Sequence, residues 1–407
     1  KNKSKERRRS KLRLAPAMPP RKRAKSSAPV TEVSTLWNGG GQVSSIASDG
    51  SGNVFVSSDT CIYKISKAQE TVVAGGDEAG YLDGPQGMFS GIVGLAVDAD
   101  GCLIVSEGGD YSCIRKVAVD GQVSTLAGDP GGEGGYMDGQ GAEARFEFPG
   151  CVAMDLDGNV LVADTNNHCI RKVAPDGTAS TFAGTPEEAG YGADGPAGMA
   201  RFLAPQGVAV DQEGNAFVAD TSNHSIRKIS RDGAVSTLAG STEGEYGHAD
   251  GTGDAARFEE PVALAVDIDG NIVVADAGNH CIRKVTPEGV VSTLAGPTAG
   301  NATSQTGNVD GPANQARFYG PHDVAIDMDG NVLVADCHNM SVRMITHTGL
   351  SRGVALPRWP VVKPALAANL VALLDDERFA DVSFGTHAPS APTVALGTYR
   401  NRRALSL

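Results

Sequence analysis

Residues Gly207–Gly240 read GVAVDQEGNAFVADTSNHSIRKISRDGAVSTLAG. Four short apolar runs lie in this stretch. Val208–Val210 ends at Asp211, before a Gly214–Asn215 turn, and Ala216–Ala219 ends at Asp220. Ile226–Ile229 leads into Asp232–Gly233, and Val235–Leu238 ends at Gly240. Short apolar runs bounded by Asp, Asn and Gly read as strands joined by hairpins. Four such strands form one small antiparallel sheet, too small to be stable alone in water.

The stretch recurs. Val152–Gly184 and Val262–Gly296 are close copies, Ile92–Gly128 is a looser one with Glu107 in place of Asp, and Val324–Thr346 holds the first three runs. Ser44–Gly76 is the most degenerate copy. The Asp closing the first strand falls at 98, 155, 211, 267 and 327, in steps of 57, 56, 56 and 60 residues. A four-stranded unit repeated at this period predicts a propeller and not a solenoid.

The ends of the array predict how the ring closes. Glu32-Val33-Ser34-Thr35-Leu36 matches the fourth strand of the unit, yet no first three strands precede it. The last copy has three good strands and then only Gly349-Leu350-Ser351-Arg352. Val33–Leu36 is therefore expected to complete the last blade, which leaves no open edge in the ring. Counting that strand once gives an all-β, six-bladed β-propeller of four-stranded antiparallel blades.

Between blades lies a long insert that also repeats. Asp138-Gly139, Asp194-Gly195, Asp250-Gly251 and Asp310-Gly311 precede Arg145-Phe146, Arg201-Phe202, Arg257-Phe258 and Arg317-Phe318, and Asp83-Gly84 precedes Phe89. Each Phe stands nine residues before a strand-closing Asp. That constancy predicts a packed insert, with Phe anchoring it from beneath and Ala and Arg on a short helical turn.

At this point the pattern GVAVDxxGNxxVADxxNHxIRKV resembles the NHL repeat family, whose repeats build six-bladed propellers. The insert DGxxxxARFxxPxG is similar to that of plant and bacterial members. The match spans residues 31–350, and Ser58–Lys64 in the first blade departs from it most. Residues 370–384 resemble the opening of a BTB/POZ domain, through Phe379-Ala380-Asp381-Val382. The segment 370–407 is too short to complete that fold. The chain thus divides into a basic tail (1–30) expected to be disordered, the propeller (31–350), a Pro-containing linker (351–369) and a truncated BTB/POZ-like start with a short helical segment (370–407).

Composition bounds the partners. The net charge is −13, of which the first 25 residues contribute +11, so the remainder carries −24. An acidic body argues against nucleic acid as the ligand. Pro20-Arg21-Lys22-Arg23-Ala24-Lys25 reads as a nuclear-import signal, a solvated tail or part of a transit peptide. Seven Cys occur without a CxxC, and Cys113, Cys169 and Cys281 share a repeat position with Ser225. Those thiols are expected to be packed in a reducing compartment, cytoplasmic or nuclear. No apolar run approaches the ~18 residues of a membrane span.

Asp155–Asn159, Asp267–Asn271 and Asp327–Asn331 open like calcium loops but lack a Glu at the twelfth position, so they read as hairpin turns. Asp164, Asp220, Asp276 and Asp336 stand seven residues before Arg171, Arg227, Arg283 and Arg343, the spacing of a cross-strand ion pair. His168, His224 and His280 occupy the loops between second and third strands. Blade-equivalent positions are too far apart for one zinc ion, and turn stabilisation is the simpler role. Arg145, Arg201, Arg257 and Arg317 lie on the same insert-bearing face. Together with His168, His224 and His280 they form the candidate partner-binding set, with the four Arg suited to an acidic peptide or phosphate, or to pairing with Glu143, Glu259, Glu260 or the insert Asp residues.

No nucleophile elbow, P-loop or HExxH is present, and no catalytic residue, metal or cofactor is expected. The expected function is a non-enzymatic scaffold that recognises a partner protein. The BTB/POZ resemblance implies a cullin-type ubiquitin ligase as a further partner. A lyase- or lactonase-type propeller enzyme and an RNA-binding propeller are the alternatives.

Overall fold

The computed structural model describes residues 30–66, 69–191, 194–298 and 305–354. The import-like stretch at 20–25 and the BTB/POZ-like segment at 370–407 lie outside them. The described chain forms six antiparallel sheets in a ring. The blade around Gly207 has the strands Gly207–Val210, Ala216–Asp220, Ser225–Ile229 and Ala234–Gly240. Blades are numbered I–VI from Val43, and the Gly207 blade is IV.

The hairpin chemistry of the sequence is realised locally. Asp211 Oδ1 accepts the backbone N–H groups of Glu213 (3.0 Å) and Asn215 (2.8 Å), and Asn215 Nδ2 donates to Oδ2 (2.7 Å). Gly214 takes φ +83°, a conformation that costs glycine little. The same turn recurs at Asp155, Asp267 and Asp327, with all carboxylate oxygens engaged by the turn itself.

Closure follows the expected rule. Glu32–Asn38 pairs with Ser341–Thr346 in blade VI, with Val33 opposite Ile345 and Thr35 opposite Arg343. Four blades differ from the expected four strands. Gly139–Gln140, Gly195–Pro196, Gly251–Thr252 and Gly311–Pro312 add a two-residue fifth strand to the outer edges of blades III to VI. Each insert thus shields the edge of the blade that follows it, which protects an otherwise open strand.

The cores lie between blades. Phe146 is fully buried with Ile104, Ile114, Val152, Val160 and Val162, so it wedges blade II against blade III. Phe89, Phe202, Phe258 and Phe318 are buried in the same way. The helical turn expected at Ala-Arg sits earlier, at Gly141–Glu143, Ala197–Met199 and Gly253–Ala255. The Arg that follows is extended instead, because Arg145 bridges back to Met137 across the insert.

The chain after blade VI also departs from expectation. Residues 351–354, read from the sequence as the start of a linker, are bonded to the fold. Ser351 N donates to Asp267 Oδ2 (3.1 Å), Ile268 N to Arg352 O (3.0 Å) and Val354 N to Val266 O (3.4 Å). A strap therefore crosses the Asp-Gly turn face from blade VI to blade V.

Deleting residues 1–40 should lower the melting temperature by at least about 5 °C, because the closing strand carries ladder bonds and buried Val33. Deleting 1–28 should leave it unchanged. Circular-dichroism melts of the two truncations check this.

Candidate binding face and central channel

The sequence-spaced Asp and Arg meet in a buried hub that fixes each insert to its blade. Arg171 is fully buried. Its Nη1 donates to Asp164 Oδ2 and to Arg145 O (both 2.9 Å), and its Nη2 to Asp138 Oδ1 (2.7 Å) and Met137 O (2.9 Å). The guanidinium lies 4.7 Å from the Tyr136 ring centroid and 5.0 Å from that of Phe146. Asp164 also accepts Glu147 N (2.8 Å) and Asn167 Nδ2 (2.9 Å). One cation therefore joins two strands, an insert and an aromatic wedge.

The hub recurs at Arg227, Arg283 and Arg343, paired with Asp220 (3.0 Å), Asp276 (2.8 Å) and Asp336 (2.9 Å). In blade II, Glu107 reaches Arg115 from a loop one residue longer. Blade I has none of this, since Ser58 and Tyr63 replace the pair and Tyr63 packs on Trp37 at 5.6 Å. Cys113 and Cys281 lie buried beside the hub carboxylates, 3.9 Å from Glu107 and 4.0 Å from Asp276, where burial pushes their thiols up.

The three His of the candidate set stitch blades together. His168, His224 and His280 each end a 3₁₀ turn or tight loop at φ +56°, +52° and +53°. Their Nδ1 atoms accept the backbone N–H groups of Ala204 (3.1 Å), Glu260 (3.1 Å) and Gly320 (3.2 Å), each in the insert of the next blade. An accepting Nδ1 places the proton on Nε2 of a neutral ring. Desolvation lowers the pKa of each ring and favours that form. The three rings do not share one centre, and among the described residues no group of His, Cys, Asp or Glu is arranged to hold a metal.

The four Arg of the set are spread around the insert face, and three are already engaged. Arg145 lies 3.7 Å from Glu133 and donates to Ala142 O (2.7 Å), Arg201 pairs with Glu188, and Arg257 pairs with Glu245 (2.6 Å). Arg145 also lies 3.9 Å from Asp129, an insert Asp as expected, whereas the glutamates that pair are Glu133, Glu188 and Glu245 and not Glu143, Glu259 or Glu260. Arg317 donates to Ala316 O (2.8 Å). Between them, large aromatic surfaces stand open: Phe148 is 45% exposed, Tyr191 63%, Tyr246 67% and Tyr319 44%. Tyr246 lies 5.4 Å from His224, and Tyr319 lies between His280 (5.6 Å) and His338 (4.8 Å).

A second feature was not anticipated from the repeats. The first strands of all six blades line a central cavity of about 190 Å³, with Cys151, Asp323 and the small side chains Ala96, Ala153 and Ala209 among its walls. Asp323 is only 7% exposed. It accepts Ser45 Oγ, Ile46 N (2.9 Å) and Val324 N (2.8 Å), all neutral donors. Burial pushes its carboxyl up to about 6 against those bonds. The signal in the sequence is an aligned position that does not repeat: four residues before the turn Asp stand Ser45, Gly94, Cys151, Gly207, Ala263 and Asp323.

The NHL repeat pattern matches residues 146–173, 202–229, 258–285 and 318–343. Each match begins at the Phe wedge and runs through the hub Arg. The chain carries NHL repeats. The repeat is thus the hub as it appears in sequence, and blades I and II fall outside the match where the hub is missing or altered. NHL repeat-containing protein 2 of Bos taurus is 29% identical over 320 residues, covering 70% of this chain and 43% of that protein. Protein SUPPRESSOR OF QUENCHING 1, chloroplastic, of Arabidopsis thaliana is 28% identical over 66% of this chain and 26% of its own length. Teneurin-m of Drosophila melanogaster is 27% identical over 65% of this chain and 10% of its own. The chain therefore spans less than half the length of these relatives. Among solved structures, an auxiliary nutrient binding protein from Bacteroides thetaiotaomicron shares the fold, with TM-score 0.58, 14% identity, and 77% of this chain and 76% of that chain covered.

Two measurements probe this chemistry. Arg227→Leu leaves Asp220 buried without its cation and should cost about 3–5 kcal/mol in urea denaturation, with Asp220→Asn in the same chain recovering part of the loss. Asp323 binds a proton more tightly folded than unfolded, where its pKa is about 3.9. Its contribution to stability is therefore unfavourable above pH 6 and is relieved as the pH falls from about 6 to about 4. Subtracting the stability–pH curve of Asp323→Asn from that of the parent should isolate this slope.

Proposed function

We propose that this NHL propeller is a protein-binding scaffold whose insert face receives the partner. The observation that carries the reading is the set of exposed aromatic rings on that face, Phe148, Tyr191, Tyr246 and Tyr319, held on rigid inserts. Tyrosine gives large contact area at low entropic cost and is enriched where partners bind. The hubs support the reading because they lock the base of each insert while the tips differ, which is how a scaffold presents recognition loops. The ion pairs of Arg145, Arg201 and Arg257 shift the emphasis from arginine to the aromatic rings, with the arginines as a neutralised frame. Among the described residues no helix is long and apolar enough to cross a membrane.

The test compares the parent with Tyr191→Ala/Tyr246→Ala/Tyr319→Ala in quantitative affinity capture. Partner recovery should fall by about tenfold or more while the melting temperature stays within a few degrees, since truncating interface anchors costs ~1–2 kcal/mol or more each. Equal capture by the two proteins would remove the insert face as the binding surface, and replacement of Asp100, Asp157 and Asp329 on the opposite face would then be the informative variant.

A further inference from the structure

Blade I is the one blade whose outer strand, Gln69–Gly75, has no covering segment among the described residues. Blades III to VI carry the two-residue fifth strands, and in blade II Gly84 exchanges both backbone hydrogen bonds with Val123, at 2.7 and 3.0 Å. The difference follows from the chain. A long insert precedes each of those blades, whereas only Gly39–Gln42 join the closing strand to Val43 of blade I.

The hairpin registers show which groups stand open. Ile65 is opposite Glu70 in blade I as Val117 is opposite Val123 in blade II, and Tyr63 is opposite Val72 as Arg115 is opposite Thr125. Glu70 therefore points its N–H and C=O outward at the level where Val123 meets Gly84. Val72 points its N–H outward at the level where Thr125 N donates to Asp83 Oδ2 at 3.1 Å. Among the described residues nothing pairs with these three groups of blade I. Glu70, Thr71 and Val72 are all exposed, Val72 at 58%. The open stretch ends at Val72, because a Cβ at Gly121 in the next blade would lie 3.0 Å from Val73 O. An uncovered edge of β-branched residues without proline is a template for a further strand.

We propose that the edge Gln69–Val72 takes an extended segment of a partner protein as an antiparallel strand, with a basic residue opposite Glu70 and an apolar residue two positions earlier, opposite Val72. Glu70 is the one charged residue of its strand, and Trp37 Nε1 holds its Oε2 at 2.7 Å, which leaves Oε1 to face the incoming cation. Val72 stands beside Tyr63, whose ring packs on Trp37 at 5.6 Å, so the apolar residue extends an aromatic row. In blades II to IV an insert Asp caps the Thr at this level and pairs with the hub Arg. Val72 and Tyr63 replace both of those partners, so an acidic residue has no counterpart in blade I. Main-chain bonds give such an added strand its affinity, and the cross-strand pairs at Glu70 and Val72 give it selectivity. A second copy of the edge fits less well, since it brings no positive charge to Glu70.

The experiment uses the full chain and a fluorescently labelled, end-blocked heptapeptide, Thr-Val-Thr-Val-Thr-Lys-Thr, read by fluorescence anisotropy. The peptide should bind saturably. Its counterpart with glutamate in place of lysine, and one N-methylated at the lysine so that it cannot donate to Glu70 O, should each bind at least about tenfold more weakly. Glu70→Lys should reverse the preference in favour of the glutamate peptide, and Val72→Asp should weaken the lysine peptide by about tenfold or more. Absence of saturable binding, equal affinity for the methylated peptide, or a preference unchanged by Glu70→Lys would overturn the proposal. A dimer in sedimentation velocity that the peptide dissociates would make a second copy the occupant, and binding that emerges only on deleting residues 1–28 would make the basic tail the occupant. Either result overturns the partner reading. Tyr191→Ala/Tyr246→Ala/Tyr319→Ala should bind the peptide as the parent does, whatever its partner capture. Loss of binding there would place the peptide on the insert face and overturn the assignment to blade I.

Discussion

A fully buried guanidinium, repeated from blade to blade, is the interaction on which the rest of this propeller depends. Arg171, Arg227, Arg283 and Arg343 would each be costly to bury alone, because a charge removed from water must be repaid by close and complete bonding. The repayment comes from several directions. A carboxylate on the neighbouring strand, another on the insert, two insert carbonyls and a Phe ring converge on Arg171. Because three of the bonds reach insert residues 26 to 34 positions away, the hub forms only when blade and insert are already together. It couples local hairpins to the ring.

The same hub secures the closure. Asp310 bonds Arg343 of blade VI and also accepts Thr35 N at 2.9 Å from the closing strand. Thr125, Thr181 and Thr237 meet Asp83, Asp138 and Asp194 in the same way in blades II to IV. A strand from the far end of the chain thus uses a fitting that blades II to V supply from within. Blade I, which lacks the hub, relies on Trp37 instead, whose ring packs on Tyr63 and whose Nε1 donates to Glu70 at 2.7 Å.

Rigid hubs at the base of the inserts leave the insert face free to differ from blade to blade. Its aromatic rings and its neutral, blade-bridging imidazoles form a patterned rim, while the opposite face is occupied by Asx-type turns and crossed by the strap. The channel between them is where repetition breaks down. Six strands bring five residue types to one level, Ser45, Gly94, Cys151, Gly207, Ala263 and Asp323, and the one carboxylate among them is bonded to the neutral donors of Ser45, Ile46 and Val324.

The sequence by itself determined the blade number, the closure strand, the buried Phe wedges, the Asp-Gly turns and the Asp–Arg pairing, because each rests on local spacing repeated in register. A seven-residue interval across a hairpin leaves few places for Asp220 and Arg227 to go. Tertiary structure alone decided which carboxylates neutralise Arg145, Arg201 and Arg257, that Nδ1 of His168 belongs to the next blade, and that residues 351–354 bond to the turn of blade V. It also decided that Asp323 of blade VI lies against Ser45 of blade I, 278 positions away. Those contacts run between blades, where the repeat carries no record of which neighbour a side chain will meet, and ring closure alone brings the partners together.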